Sequence, residues 1–201
     1  MSYNERGIYQ QFDLGDTQHP TFLGMPMGQW WHDLQIWEWF LNEHPDIGHI
    51  IEIGTSTGGF ATYLAMQCRS RGADFSSFDN GLPYEESVMR NEFLRPIVGE
   101  RLFVADTWGD GGKFIRDCLA TDGRRPILIF CDGGDKIREY KTFAPLLTEQ
   151  DFLAVHDWVP PPRTDGEFHQ YDIDESLTET LWGDLCDRHD AHVRFFRKRR
   201  A

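Results

Sequence analysis

Short apolar segments alternate with helix-like segments over residues 49–157, and this alternation limits the folds open to the chain. The strand-like segments are HIIEIG at 49–54, DFSSFD at 74–79, RLFVAD at 101–106, PILIFCD at 126–132 and DFLAVHD at 151–157. Strands that alternate with helices are typical of βαβ units, in which right-handed crossovers join parallel strands. The pattern therefore predicts an α/β fold with a doubly wound, mostly parallel sheet and helices on both faces.

The intervening segments have helical composition. We expect helices at 58–72, 85–99, 110–123 and 136–147, and a further helix at 175–190 after a proline-rich loop at 160–174. The last segment, AHVRFFRKR at 191–199, predicts a final strand. A strand that follows a helix so late in the chain can run antiparallel to the others, so we allow one antiparallel strand near the C-terminus.

The N-terminal part divides into two regions. Residues 1–28 are rich in Gly, Pro and polar residues, which predicts an irregular arm or lid. Apolar residues then recur at helical spacing from Trp30 to Leu41, and Pro45 ends this helix. Its tryptophans either pack on the sheet or cover a ligand. We expect residues 29–201 to form a single Rossmann-like domain.

Composition excludes several classes of function. The formal net charge of −13 opposes binding to nucleic acid, and the basic end RFFRKRRA is typical of a last strand with a solvated tail. No apolar run approaches the roughly 20 residues of a membrane helix, and the polar N-terminus lacks a signal-peptide core. These features predict a cytoplasmic protein without a membrane partner. The four cysteines form no CxxC pair, so we expect reduced thiols.

The turn EIGTSTGG at 52–59 follows the first predicted parallel strand. A Walker phosphate loop needs a Lys after its last Gly, and the dinucleotide fingerprint G-x-G-x-x-G is broken by Thr55 and Ser56. Glu52 beside the turn would also repel a pyrophosphate, whereas it would stabilise a positive ligand group. The turn therefore favours a cationic nucleoside ligand over a phosphate-bearing one, and it disfavours a dinucleotide oxidoreductase.

The acid-x-Gly-x-x-x-Gly pattern resembles motif I of the class I S-adenosylmethionine-dependent methyltransferases. The resemblance implies that Glu52, Gly54, Thr55, Ser56 and Gly58 surround the cofactor.

Two further strand ends fit a nucleoside. Asp79 closes DFSSFD, where an acid can accept both ribose hydroxyls, although it can also begin the turn that follows. Asp106, Thr107 and Trp108 follow the next strand in VADTWGD. In the methyltransferase family this loop approaches the adenine, where Trp108 either stacks or serves as a half-buried loop aromatic.

Acidic residues also follow the last two parallel strands. Asp132 ends PILIFCD, and His156 and Asp157 end FLAVHD, so their side chains should converge at one sheet edge. Carboxylate oxygens suit hard divalent ions, and an imidazole suits manganese or iron or acts as a base.

The segments 24–40, 50–65 and 131–158 resemble the branch that includes cephalosporin hydroxylase-like and macrocin O-methyltransferase-like proteins. The resemblance implies a divalent ion, Mg or Mn, on Asp132, His156 and Asp157, with Asp132 also beside the cofactor. Such an ion would activate a substrate hydroxyl. Many relatives have Glu-Asp where this chain has His156 and Asp157, and they have a His that acts as a general base where this chain has Asp135.

Because this chain has Asp135 followed by Lys136, the candidate catalytic residues are Asp135, Lys136 and His156. Each has a structural alternative: a helix cap for Asp135, a solvated helix residue for Lys136 and a core histidine for His156.

The resulting hypothesis is an S-adenosyl-L-methionine-dependent methyltransferase that methylates a hydroxyl of a small molecule with help from a metal ion. The alternative is a non-catalytic nucleoside-binding module that has kept the cofactor pocket. Relatives often associate through N-terminal elements, which leaves a homo-oligomer open.

Overall fold

The computed structural model describes residues 20–80, 102–121, 123–158 and 167–200. The predicted helix at 85–99, residues 1–19 of the predicted arm and residues 160–166 of the predicted loop lie outside these ranges.

The described strands form a two-stranded hairpin and a seven-stranded sheet. They are β1 (Thr21–Phe22), β2 (Met25–Pro26), β3 (His49–Ile53), β4 (Asp74–Asp79), β5 (Leu102–Val104), β6 (Ile127–Cys131), β7 (Phe152–Val155), β8 (Thr178–Leu181) and β9 (Arg194–Lys198). The large sheet has the order β5-β4-β3-β6-β7-β9-β8. Six of these described strands share one direction, and β9 runs antiparallel to both of its neighbours, β7 and β8. The predicted mostly parallel sheet with one antiparallel C-terminal strand is confirmed.

Helices cover both faces of the sheet. They are α1 (Trp31–Glu43), α2 (Gly59–Arg71), α3 (Asp110–Thr121), α4 (Lys136–Phe143) and α5 (Gly183–Arg188), with 3-10 turns at Ala144–Leu146 and Gln170–Asp172. Within the described residues, every helix is too short or too polar to span a lipid bilayer.

Successive side chains of a strand point to opposite faces, and this separates two apolar cores. Ile50 and Phe130 belong to the core that contains α1, α2 and α5, whereas Ile51 and Ile129 belong to the core that contains α3 and α4. The predicted doubly wound arrangement is therefore confirmed. The cysteines lie in or against these cores: Cys68, Cys131 and Cys186 are buried, and Cys118 is partly buried.

The functional edge of the sheet follows from its register. β3 pairs with both β4 and β6, so the direction of winding reverses between β3 and β6, which is where ligands bind in such sheets. Ile53 lies opposite Cys131, and Cys131 lies opposite Val155. The residues after these strand ends are consequently brought to one edge.

The predicted helix at 175–190 is wrong over its first half. Residues Thr178–Leu181 form β8, which pairs antiparallel with β9, and the helix is limited to Gly183–Arg188. Leucines four residues apart favoured a helix in the sequence, but β9 supplies a hydrogen-bonding partner that the local pattern does not reveal. Trp182, with a φ of 58°, turns the chain between strand and helix.

Residues 20–28, predicted as part of an irregular arm or lid, contain the β1–β2 hairpin and pack on the start of α2. Met25 and Met27 are buried in the core. Thr57 Oγ1 donates a hydrogen bond of 2.5 Å to the carbonyl of Pro26, and a Cβ on Gly59 would lie 2.2 Å from that oxygen. The absence of a side chain at Gly59 therefore lets the hairpin approach the domain. The domain boundary at residue 28 stays a prediction.

Candidate functional site

A cleft of about 390 Å³ lies at the carboxyl ends of the central strands. Most of the residues predicted from the sequence to bind a cofactor line it: Gly54, Ser56, Asp79, Asp106, Thr107, Trp108 and Asp132. Glu52, Thr55 and Gly58 are buried residues that are not among the lining residues.

The charge of the cleft is one-sided. Among its described lining residues are five carboxyl groups and neither Lys nor Arg: Asp79, Asp106, Asp132, Asp135 and Glu139. Such a lining repels phosphate groups and suits a ligand that is neutral or cationic. The absence of Lys and Arg agrees with the exclusion of a phosphate loop from the sequence.

The turn after β3 depends on a close contact between two backbones. Gly54 has a φ of +96°, and a Cβ there would lie 2.3 Å from the carbonyl oxygen of Asp132. The backbone N–H of Ser56 donates a 2.9 Å hydrogen bond to Asp79 Oδ2. The acid at the end of β4 is thereby tied to the turn, and both face the cleft.

Glu52 supports the turn from behind the cleft. Ser77 Oγ donates to Glu52 Oε2 at 2.5 Å, and Thr55 Oγ1 lies 2.5 Å from Ser77 Oγ. Burial raises the pKa of Glu52 well above its ordinary value, and the nearby charges of Asp132 and Asp79 oppose ionisation too, although the Ser77 hydrogen bond lowers the pKa. Its contacts are with the polar side chains under the turn.

Trp108 forms part of the opposite wall. Its backbone N–H donates to Asp106 Oδ1 at 2.9 Å, which fixes the loop after β5. The guanidinium carbon of Arg138 lies 3.9 Å from the centre of the Trp108 ring, a cation–π contact. One ring face is therefore taken, and a stacked base would need the other.

Asp132, His156 and Asp157 converge as predicted and form a cluster next to the cleft. One potential ligand atom of each lies within 4.8 Å of the others. His156 Nδ1 is 3.2 Å from Asp132 Oδ1 and 3.1 Å from Asp157 Oδ1. Two carboxylates and an imidazole are a donor set that fits a divalent ion. Asp157 has a φ of +57°, an uncommon conformation for a residue other than glycine.

Lys136 also reaches this cluster. Its Nζ lies 2.7 Å from Asp157 Oδ2 and 3.5 Å from Asp132 Oδ1, and it donates to the carbonyl of Gly133 at 2.9 Å. Burial lowers the pKa of Lys136, but the charges of Asp132 and Asp157 outweigh it, so the net shift is upward. Lys136 is therefore an ammonium ion in this arrangement.

The ionisation of the cluster follows from its mutual contacts. Burial alone would raise the pKa of Asp157, but His156 and Lys136 hold it below its usual range. Burial would lower the pKa of His156, yet Asp132, Asp157 and Asp33 raise it well above the ordinary value. Because both ring nitrogens of His156 face carboxylates, this buried side chain is placed to hold charge or a metal ion rather than to take a proton from a substrate.

Asp135, the third predicted catalytic residue, is the N-cap of α4. Its side chain accepts a 3.0 Å hydrogen bond from the backbone N–H of Arg138, which is the structural alternative that the sequence left open. The side chain is exposed and also lines the cleft.

Sequence reasoning missed Gln29 and Asp33. Gln29 Nε2 donates to Asp132 Oδ2 at 2.8 Å, and Asp33 Oδ2 lies 3.4 Å from His156 Nε2. Both side chains are fully buried. An aspartate at position 33 within an apolar helical pattern was the signal, because a buried carboxylate requires partners.

Glu139 was missed as well. It is buried, lines the cleft and accepts a hydrogen bond from the backbone N–H of Gly133 at 3.2 Å. Burial raises the pKa of Glu139 to about 7, although Lys136 lowers it.

No protein-family model matches the chain, and no curated protein matches it in sequence. Solved structures do match. An apo structure of CmcI has a TM-score of 0.65 and 14% identity over 100% of this chain and 89% of that one. A CmcI structure with SAH (S-adenosylhomocysteine) has a TM-score of 0.58 and 17% identity over 98% of this chain and 96% of that one. The SAH-bound methyltransferase PaMTH1 of Podospora anserina has a TM-score of 0.52 and 16% identity over 81% of this chain and 77% of that one. The chain therefore has the fold of these structures.

Proposed function

We propose that this protein is an S-adenosyl-L-methionine-dependent methyltransferase that methylates a hydroxyl oxygen of a small molecule with a divalent ion. The observation that carries the proposal is the position of Asp132, which lines the cleft and also belongs to the cluster with His156 and Asp157. A cofactor in the cleft and an ion on the cluster would consequently be neighbours.

Three features of the cleft support the cofactor. The lining lacks Lys and Arg among its described residues, which suits a sulfonium and opposes a dinucleotide. Asp79 stands where an acid accepts ribose hydroxyls, and Trp108 offers a ring to the adenine. SAH is bound in two of the solved structures with this fold. We assign the methionine end to Gly54, Ser56 and Asp132, with Glu52, Thr55 and Gly58 supporting the turn.

The candidate ion, Mg²⁺ or Mn²⁺, would be held by Asp132, His156 and Asp157. When bound, it would lower the pKa of an acceptor hydroxyl. Methyl transfer is an in-line displacement: the acceptor oxygen attacks the methyl carbon, the carbon–sulfur bond breaks, and the hydroxyl proton is lost. The residues mainly orient the reactants, and Lys136 keeps Asp157 ionised. Because Lys136 is an ammonium ion, we place Asp135, which is exposed at the cleft although it caps α4, ahead of it as the candidate base that takes the hydroxyl proton.

A non-catalytic nucleoside-binding module is the second candidate, and Lys136 favours it. Its ammonium already balances the carboxylates of Asp132 and Asp157 without an ion. Under this alternative the protein binds the cofactor but neither binds a divalent ion nor transfers a methyl group. A cytoplasmic location, the lack of nucleic-acid and membrane partners, and a homo-oligomer remain predictions from the sequence.

Calorimetry with the full chain tests the cofactor first. We expect S-adenosylhomocysteine to bind more tightly than NAD⁺, and tighter binding of NAD⁺ would overturn the proposal. Transfer of a labelled methyl group to a panel of catechols, sugars and other hydroxylated molecules, with and without Mn²⁺, then tests the reaction. Asp132→Asn should weaken both cofactor and ion binding, whereas the exposed Asp46→Asn should change neither.

A further inference from the structure

Each of the three candidate ligand side chains is held at one atom by an outer partner. Asp132 Oδ2 accepts from Gln29 Nε2 at 2.8 Å, His156 Nε2 faces Asp33 Oδ2 at 3.4 Å, and Asp157 Oδ2 faces Lys136 Nζ at 2.7 Å. The second atom of each is the one that converges: Oδ1, Nδ1 and Oδ1, with Nδ1 lying 3.2 Å and 3.1 Å from the two oxygens.

We propose that Gln29, just before α1, and Asp33, in the first turn of α1, are positioning residues that build the metal site and make Nδ1 of His156 its nitrogen ligand. This inference rests on the proposed function. It assigns a role to two polar residues in a segment for which the sequence indicated only that the tryptophans pack on the sheet or cover a ligand.

Asp33 is itself firmly anchored. Its Oδ1 accepts hydrogen bonds from the backbone N–H groups of His192 at 2.7 Å and Val193 at 3.1 Å, and its Oδ2 accepts from that of Trp30 at 3.1 Å. The side chain is fully buried. The carboxylate is therefore a fixed acceptor, and the orientation of the imidazole that faces it is fixed too.

A fixed acceptor also selects the tautomer of a neutral imidazole. When Nε2 carries the proton, it donates a hydrogen bond to Asp33, and Nδ1 keeps a lone pair that faces Asp132 and Asp157. A carboxylate on the far nitrogen of a ligating histidine is the usual outer contact of such ligands, and it strengthens them. Asp33 supplies that contact from another element of the fold.

Gln29 gives an independent sign of an occupant. Its side chain is fully buried, and Oε1 has no hydrogen-bond partner among the described residues. The donor to Asp132 must be Nε2, so the amide cannot turn around without losing that hydrogen bond. A buried acceptor without a donor costs free energy, which an O–H or N–H group brought by the occupant of the cluster would relieve.

A nitrogen ligand changes the choice of ion. Magnesium prefers oxygen ligands and water, whereas manganese, cobalt and zinc accept imidazole. The geometry therefore predicts that the cluster binds Mn²⁺ or Co²⁺ more tightly than Mg²⁺.

The decisive variant is Asp33→Asn. Its Oδ1 still accepts from the backbone at His192, but an amide NH₂ facing Nε2 favours the tautomer whose proton blocks Nδ1. We expect the affinity for Mn²⁺ to fall ten- to a hundredfold, as outer-contact variants do, and the electron paramagnetic resonance coupling between Mn²⁺ and ¹⁵N-labelled His to be lost. Affinity for S-adenosylhomocysteine should be unchanged, since Asp33 does not line the cleft.

Two further variants separate positioning from folding. His156→Glu alone sets the carboxylate introduced at position 156 against that of Asp33. Adding Asp33→Asn to this variant gives the introduced carboxylate a hydrogen-bond donor. The double variant should bind Mg²⁺ at least tenfold more tightly than His156→Glu alone. Gln29→Met should weaken Mn²⁺ binding several-fold, with Gln35→Met, exposed on the adjoining helix α1, as the matched control.

Two outcomes with the Asp33→Asn variant would overturn the inference. In one, Asp33→Asn keeps both the Mn²⁺ affinity and the nitrogen coupling. In the other, it loses ion and cofactor binding together and the double variant recovers nothing, which shows a structural role only. If the unaltered protein binds S-adenosylhomocysteine but no ion, the metal site is refuted along with its positioning residues, while the cofactor part of the proposed function stands.

Discussion

The ammonium of Lys136 lies 2.7 Å from a carboxylate oxygen of Asp157, on a residue that the sequence marked only as a candidate base. The same ammonium is 3.5 Å from Asp132, so a side chain of the protein balances two of the three candidate metal ligands. An incoming divalent ion would have to share or replace this charge. Competition between Lys136 and an ion is therefore built into the cluster.

Replacing Lys136 with Met should make the ion-free protein less stable, by on the order of 2 kcal/mol, because two carboxylates lose their counter-charge. An ion should then stabilise the variant more than it stabilises the unaltered protein. The measurement is the Tm with and without Mn²⁺. Lys141→Met, exposed on the same helix, is the control, and an equal Mn²⁺ shift in both variants would show that Lys136 and the ion do not compete.

Glu139 should make stability fall as the pH rises. Its pKa is raised to about 7 in the folded protein from an ordinary value of 4.5. Between these values the folded state binds more protons than the unfolded state, so the free energy of unfolding decreases as the pH increases, and it levels off above about 7. Glu139→Gln should remove this slope and gain on the order of 3 kcal/mol at pH 8, with little gain near pH 4.5.

Urea denaturation at pH 5 and pH 8 measures the effect of Glu139→Gln. The exposed Glu175→Gln provides the comparison. A gain for Glu139→Gln that is the same at both pH values would contradict the assignment of this slope to Glu139.

Gly54→Ala should be severely destabilising, because the new Cβ meets the carbonyl oxygen of Asp132 at 2.3 Å in a residue with a φ of +96°. Gly72 separates the strain of a positive φ from the steric clash, since its φ is +70° but a Cβ there meets nothing within 4 Å. We expect Gly72→Ala to cost about 1 kcal/mol and Gly54→Ala at least about 2 kcal/mol more. Chemical denaturation measures both, and similar losses would show that the turn tolerates the side chain.

Asp79→Asn should weaken cofactor binding while preserving the turn. The amide oxygen can still accept from the Ser56 N–H, but the charged acceptor for ribose hydroxyls is lost. A hydrogen bond to a charged group contributes about 1.5–3 kcal/mol, so affinity for S-adenosylhomocysteine should drop about tenfold or more. Calorimetry beside the exposed Asp46→Asn checks this, and unchanged affinity would remove Asp79 from the ribose site.

The central parallel strands β6 and β7 were predictable because strands covered on both faces have continuous apolar sequences, as ILIF and FLAV do. The strand at 178–181 was not predictable from the sequence, since its leucine spacing suits a helix and only its pairing with β9 makes it a strand. Local pattern was sufficient where burial fixes the residue types. It failed where a distant partner decides the conformation.

The same division applies to the site. Asp132 and the pair His156 and Asp157 follow apolar runs directly, and Asp79 closes the segment DFSSFD, so the sequence by itself determined that these polar groups meet at one sheet edge. Only the tertiary structure decided what holds them there. Gln29 is 103 residues from Asp132, and Asp33 is 123 residues from His156. These contacts arise because α1 packs across the sheet, so that Asp33 in its first turn and Gln29 just before it bring buried polar side chains to the strand ends. No local spacing encodes this juxtaposition.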